Sequence, residues 1–133
     1  MKKVIFVLMA LIATANTAGA QTKSNIVMDL SSERFKAITT NDKAGMVIDL
    51  RTTEEITKSG SIAGAVQLDY LAKDAEKQID KLDKNKTYYI YCASGGRSSD
   101  AAEYMEKSGF KRVYTLAKGM TEWLAKGFPV EKK

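Results

Sequence analysis

The chain has 133 residues, with 21 Lys and Arg against 16 Asp and Glu, a single cysteine and no histidine. The net charge of +5 comes from lysines spread along the sequence, which gives no basic face of the kind that nucleic acid binding needs. Without histidine, Cys–His hydrolases, Ser–His–Asp triads and most zinc sites are excluded; with one cysteine, so are an internal disulfide and dithiol exchange.

Lys2 and Lys3 precede the apolar run from Val4 to Ala13, and a segment of small residues ends at Ala18-Gly19-Ala20. A charged start, a short apolar centre and a small-x-small end predict a secretory signal peptide over residues 1–20, cut after Ala20. The apolar run is shorter than the roughly 20 residues a bilayer span requires, so no membrane anchor is expected after cleavage. The expected location is the periplasm or the exterior. Residues 21–30 read as a flexible leader and residues 31–133 as one compact domain.

Ser31-Ser32-Glu33 marks a helix start, with the helix running to about Thr40. Met46 to Leu50 is a short apolar run suited to a buried parallel strand, and Thr52-Thr53-Glu54-Glu55 is the capped start of a short helix ended by Ser59-Gly60. Ala65 to Leu68 predicts a strand, Asp74 to about Leu82 a helix, and Asp83 to Lys86 a turn. Thr87 to Tyr91 is a further strand. It leads into the loop Cys92-Ala93-Ser94-Gly95-Gly96-Arg97-Ser98 and then a helix with Ser98, Ala101, Ala102 and Met105 on one face. Glu103 and Lys107 are spaced to pair on that helix, and Gly109 stops it. Val113 to Leu116 is the last strand, and Met120 to Lys126 the last helix. Strands alternating with helices imply an α/β fold with a parallel sheet covered on both faces, and ligands bind such sheets beyond the carboxyl ends of the strands.

Cys92 lies at one such end. A strand feeding a glycine-bearing loop and a helix N-terminus gathers backbone N–H groups around one point, which stabilises a thiolate and any anion it attacks or carries. Arg97 adds a fixed cation with a planar fork of donors. A lone thiol activated by loop electrostatics limits the chemistry to sulfur transfer or attack on a phosphate-type ester.

Four segments, in order, resemble a single-domain rhodanese. They are Val47-Ile48-Asp49-Leu50-Arg51-Thr52-Thr53-Glu54-Glu55, Gly60-Ser61-Ile62-Ala63-Gly64-Ala65, Tyr89 through Ser98, and Lys118-Gly119-Met120 through Trp123 to Val130. The resemblance implies a rhodanese-like fold of about five parallel strands between helices, and a cofactor-free sulfurtransferase. Such an enzyme takes a sulfane sulfur from a donor such as thiosulfate, holds it as a cysteine persulfide and passes it to a thiol or cyanide, with a protein donor or acceptor as an alternative. By position, Cys92 is the nucleophile and persulfide carrier. The backbone amides of Ala93, Ser94, Gly95, Gly96, Arg97 and Ser98 form the anion cradle, which Arg97 helps to hold.

The family commonly carries histidine and proline where this chain has Ser61 and Ala63, and many thiosulfate-using members have a basic residue where it has Ala93. Two alternatives stand beside this reading. Phosphatases and arsenate reductases use a related loop with one more residue between cysteine and arginine, whereas four residues separate Cys92 from Arg97. The other is a non-catalytic module that carries sulfur within a complex. Asp49 and Arg51 are expected near the site. Asp49 is either a general acid or, the reading preferred here, a carboxylate that fixes the strand-to-helix turn. Arg51 and Glu55 are spaced for an ion pair, and Trp123, Tyr88, Tyr89 and Tyr91 are assigned to packing.

Overall fold

The computed structural model describes residues 25–132. The expected signal peptide lies outside the described residues. Five strands and five helices alternate: β1 (Ile26–Leu30), α1 (Ser32–Asn41), β2 (Met46–Asp49), α2 (Thr53–Ser59), β3 (Val66–Gln67), α3 (Ala75–Asp80), β4 (Thr87–Tyr91), α4 (Gly96–Lys107), β5 (Arg112–Leu116) and α5 (Gly119–Ala125). The five strands pair in parallel, in the order β1-β5-β4-β2-β3.

The leader expected over residues 21–30 is corrected by β1 from Ile26 onward, residues 21–24 lying outside the described residues. Ile26 to Leu30 pairs with β5 from Arg112 to Leu116 and supplies the fifth strand, which the hydrophobic pattern had not revealed. The reason is its edge position. Only one side is paired, so Ile26, Met28 and Asp29 stay exposed while Leu30 alone is buried.

The central strand β4 is buried along nearly its whole length, as a parallel strand covered on both faces must be. Alternation sends Tyr88, Ile90 and Cys92 to one face, where Ala75 and Ile79 of α3 and Ala101, Ala102 and Met105 of α4 meet them. Tyr89 and Tyr91 face the other way, into a cluster with Phe35 of α1 and Met120 and Trp123 of α5. Trp123 is buried as expected and donates its indole N–H to the Pro129 carbonyl at 2.9 Å. On the surface of α4 the Glu103–Lys107 pair forms at 2.9 Å.

The sheet order places β2 and β4 side by side, although the chain leaves them towards opposite edges. Their carboxyl ends therefore form a topological switch point, where connecting loops diverge and leave a crevice. Leu50 follows β2 and Cys92 follows β4, and the Leu50 N–H bonds to the Tyr91 carbonyl at 2.8 Å. Sheet topology alone brings the Asp49–Arg51 segment against the Cys92 loop.

Candidate active site

From Cys92 the chain turns sharply into α4. Gly95 takes a left-handed conformation (φ 106°), and a Cβ there would meet the Ala117 carbonyl oxygen at 2.5 Å. The loop carbonyls are drawn outward by the start of α5. Met120 N–H bonds to the Cys92 carbonyl, and Thr121 N–H to that of Ala93, both at 2.9 Å. Two open donors of α5 are thus satisfied, and the peptide hydrogens of the loop are free to turn inward.

They turn onto the sulfur. Cys92 Sγ accepts hydrogen bonds from the Gly95 N–H at 3.1 Å and the Ser98 N–H at 3.4 Å. The thiol lies 3.6 Å from Ser98 Oγ, whose own hydroxyl donates to the Gly95 carbonyl at 3.1 Å. Cys92 is 1% exposed and packs in the core. Burial pushes the thiol pKa up, but the Ser98 N–H and hydroxyl, with the N–H groups of Gly95 and Ser94, outweigh it. The net direction is down, which favours thiolate. Of the six loop amides expected in the cradle, Gly95 and Ser98 bond to the sulfur directly and Ser94 acts on its charge.

Arg97 is turned towards α2. Its two terminal nitrogens donate to the Glu55 carboxylate at 2.8 and 2.7 Å, a fork-to-fork pair. Glu55 also accepts from the Thr52 N–H, closing a capping box at the start of α2. The Arg97 hydrogen bond pulls the Glu55 carboxyl down to about 2.

This arrangement corrects the expected Arg51–Glu55 pair. Arg51 instead meets Asp49 at 2.7 Å and donates to Ser59 Oγ and the Gly60 carbonyl. The reason is burial. Arg51 is 2% exposed, and the buried Asp49 carboxylate lies beside it, whereas Glu55 is half-exposed and faces α4. Asp49 accepts the Arg51 N–H and Nε at 3.0 and 2.9 Å and the Tyr91 hydroxyl at 2.7 Å, and Tyr91 in turn accepts the Ile62 N–H at 3.0 Å. Asp49 thus fixes the turn, as preferred from the sequence. Tyr91, assigned only to packing, is also a polar strut. Its partners lie 42 and 29 residues away, a signal no local pattern carries.

Ser61 is 1% exposed, and its hydroxyl is the buried side-chain polar atom left without a partner among the described residues. It lines a cavity of about 220 Å³ with Asp49, Thr53, Thr57 and Gln67. Among the described residues no group of three or more His, Cys, Asp and Glu could hold a metal ion.

The Rhodanese-like domain family model matches residues 31–126. A sulfurtransferase of Allochromatium vinosum is 30% identical over 105 residues, covering 79% of this chain and 95% of that protein. The thiosulfate sulfurtransferase GlpE of Coxiella burnetii is 32% identical over 80 residues, covering 60% of this chain and 72% of its own. YrkF of Bacillus subtilis, whose name offers sulfur carrier as a candidate role, is 36% identical over 100 residues; the match covers 75% of this chain but only 52% of YrkF. A crystal structure of a rhodanese-related protein from Thermoplasma volcanium superposes with a TM-score of 0.68 at 25% identity, over 80% of this chain and 99% of that one. With the strand order, the loop and the sequence match in agreement, the chain belongs to the rhodanese-like domain family.

Proposed function

We propose that this protein is a sulfurtransferase that receives a sulfane sulfur on Cys92, carries it as a persulfide and passes it to a thiol or cyanide. The observation that carries the reading is the pair of peptide N–H groups, Gly95 and Ser98, that hold the buried sulfur at 3.1 and 3.4 Å. They stabilise the attacking thiolate and stay in place for the negative charge that the transferred sulfur brings. Burial adds a second property, since a covered persulfide is shielded from water and stray thiols. The sequence relatives named for sulfurtransfer support the same reading. The charged, apolar and small-residue pattern of residues 1–20 supports export, so the proposed place of action is the periplasm or the exterior.

The test is intact-protein mass spectrometry after incubation with inorganic polysulfide or thiosulfate. A gain of one sulfur atom, removed by cyanide or a thiol and absent in Cys92→Ser, is the expected result. A Cys92→Ser variant that still transfers sulfur at the native rate would overturn the assignment.

A further inference from the structure

We propose that the cavity lined by Ser61 is a second binding site, separate from the Cys92 loop, for a small uncharged polyol: a glycerol-sized molecule with hydroxyl groups on adjacent carbons.

The cavity is bounded by Asp49 at the end of β2, by α2, and by the segment from Ser61 to Gln67; no residue of the Cys92 loop lines it. Its volume of about 220 Å³ is far above the ~15 Å³ that one water needs and below the ~300 Å³ at which drug-sized sites begin. A molecule of a few carbons falls in that range.

The first observation is the Ser61 hydroxyl. Ser61 is 1% exposed, and its Oγ has no partner among the described residues. The residue is held in place by its backbone, whose N–H donates to the Glu131 carbonyl at 2.9 Å and whose carbonyl accepts the Glu131 N–H at 2.7 Å. A buried hydroxyl left unmatched is a standing cost to the fold, which a hydrogen-bonding ligand removes.

The second observation is the set of groups left open around it. Gln67 Nε2 spends both protons, on the Arg51 carbonyl at 3.1 Å and on Thr53 Oγ1 at 3.2 Å. Since that carbonyl can only accept, the orientation of the amide is fixed, and Gln67 Oε1 remains as an acceptor. The Thr53 hydroxyl remains as a donor. Thr57 donates to the Thr53 carbonyl at 2.8 Å and keeps its lone pairs. A wall of mixed donors and acceptors suits hydroxyl groups, each of which does both at one atom, while the carbon chain lies against the buried Ile56 and Ala65.

The wall offers no free charge. Each Asp49 oxygen already accepts two hydrogen bonds, three in all from Arg51 and one from Tyr91. A charged ligand would lose its hydration there without gaining a counter-ion. Ser61 stands between Gly60, whose carbonyl accepts Arg51, and Ile62, whose N–H donates to Tyr91. A bound polyol therefore braces, from the side away from the sulfur, the buried chain that underlies the Cys92 loop.

The experiment titrates the full chain, methyl-labelled, with glycerol and follows the NMR signals of Ile56 and Ala65. Acetamide, acetate and methylammonium serve as probes of similar size and different chemistry. Glycerol is expected to move both signals along a saturating curve with a Kd of about 1–10 mM, the range open to so few atoms, and acetate and methylammonium to move neither. Ser61→Ala should weaken glycerol about tenfold, the worth of one hydrogen bond to a hydroxyl otherwise unmatched. Its own thermal midpoint without glycerol should be unchanged or higher, which separates lost binding from lost fold. Thr57→Val, at the exposed mouth, should weaken glycerol by roughly threefold. Cys92→Ser should bind it as wild type does. Shifts that grow without saturating are the mark of a general cosolvent effect and would overturn the proposal. So would acetamide binding more tightly than glycerol, a Kd that Ser61→Ala leaves unchanged, or a loss of binding in Cys92→Ser.

Discussion

Arg97 and Glu55 are joined by two parallel hydrogen bonds of 2.8 and 2.7 Å, and this pair ties the first turn of α4 to the first turn of α2. Glu55 closes the capping box of its own helix with the same carboxylate, so one ionised group serves two elements. Its carboxyl is held down to about 2, from an ordinary value of 4.5, chiefly by the Arg97 hydrogen bond. A depressed carboxyl stabilises the fold at every pH above its unfolded value. That stability is lost as pH falls from about 4.5 towards 2. Urea unfolding midpoints should therefore drop across this window, and Glu55→Gln should flatten the drop. At neutral pH the same variant should lose about 1 kcal/mol, the usual size of a cap, because the pair is partly exposed and screened. An unchanged acid limb in Glu55→Gln would show that the pair does not hold the two helices.

What the sequence revealed follows the range of each interaction. Cys92, its two glycines and the start of α4 were legible because a strand, a turn and a helix signal follow one another within about a dozen residues. The capping box at Thr52 and the Glu103–Lys107 pair were legible for the same reason. The partners of Arg51 and Glu55 were not. Their i,i+4 spacing fits a helical pair, but Arg51 precedes the Thr52 cap of α2, and burial set the outcome, since a buried guanidinium needs the nearest buried carboxylate. β1 was missed because an edge strand with one buried residue has no hydrophobic signature, and its pairing with β5 spans most of the domain.

Ser98 donates its backbone N–H to the sulfur and places its hydroxyl oxygen 3.6 Å away, where it accepts from the thiol and can turn to donate once the sulfur is ionised. Ser98→Ala keeps the first and removes the second. The Cys92 thiol pKa should therefore rise, because burial is then opposed by fewer donors. The readout is the pH dependence of alkylation by iodoacetamide, whose midpoint should move to higher pH in the variant with the fold intact by circular dichroism. A midpoint that stays put would remove the hydroxyl from the thiolate's stabilisation.

Below the loop, the Tyr91 hydroxyl, the Asp49 carboxylate and the Arg51 guanidinium form a buried chain that ends on Ser59 and the Gly60 carbonyl. Asp49→Ala would leave the Arg51 charge buried without its partner, which costs about 3–5 kcal/mol. Tyr91→Phe removes one hydroxyl, leaving the Ile62 N–H and one carboxylate lone pair unmatched, for a loss of about 1–3 kcal/mol. Chemical denaturation should rank the two in that order. Equal losses would mean that the ion pair contributes no more than the single hydroxyl.

Gly119 sits where α5 begins, with φ at 64°, and a Cβ added there would lie 2.4 Å from the Ala93 carbonyl oxygen and 2.7 Å from the Ser94 nitrogen. Both contacts are backbone, so neither can swing aside as a side chain would. Relief requires the Cys92 loop to move away from α5, and the bonds from Met120 and Thr121 that turn its carbonyls outward would lengthen with it. Gly119→Ala should therefore act at a distance from its own helix. We expect a stability loss of about 1–3 kcal/mol from the left-handed strain and the forced shift. We also expect a rise in the Cys92 pKa, as the inward N–H groups lose their aim. Gly127 makes the control. It too has a left-handed φ, 68°, but nothing lies within 4 Å of its added Cβ, so Gly127→Ala should cost stability without touching the thiol. If both variants leave alkylation kinetics at the wild-type profile, the seating of the loop on α5 is not what aims its peptide hydrogens at the sulfur.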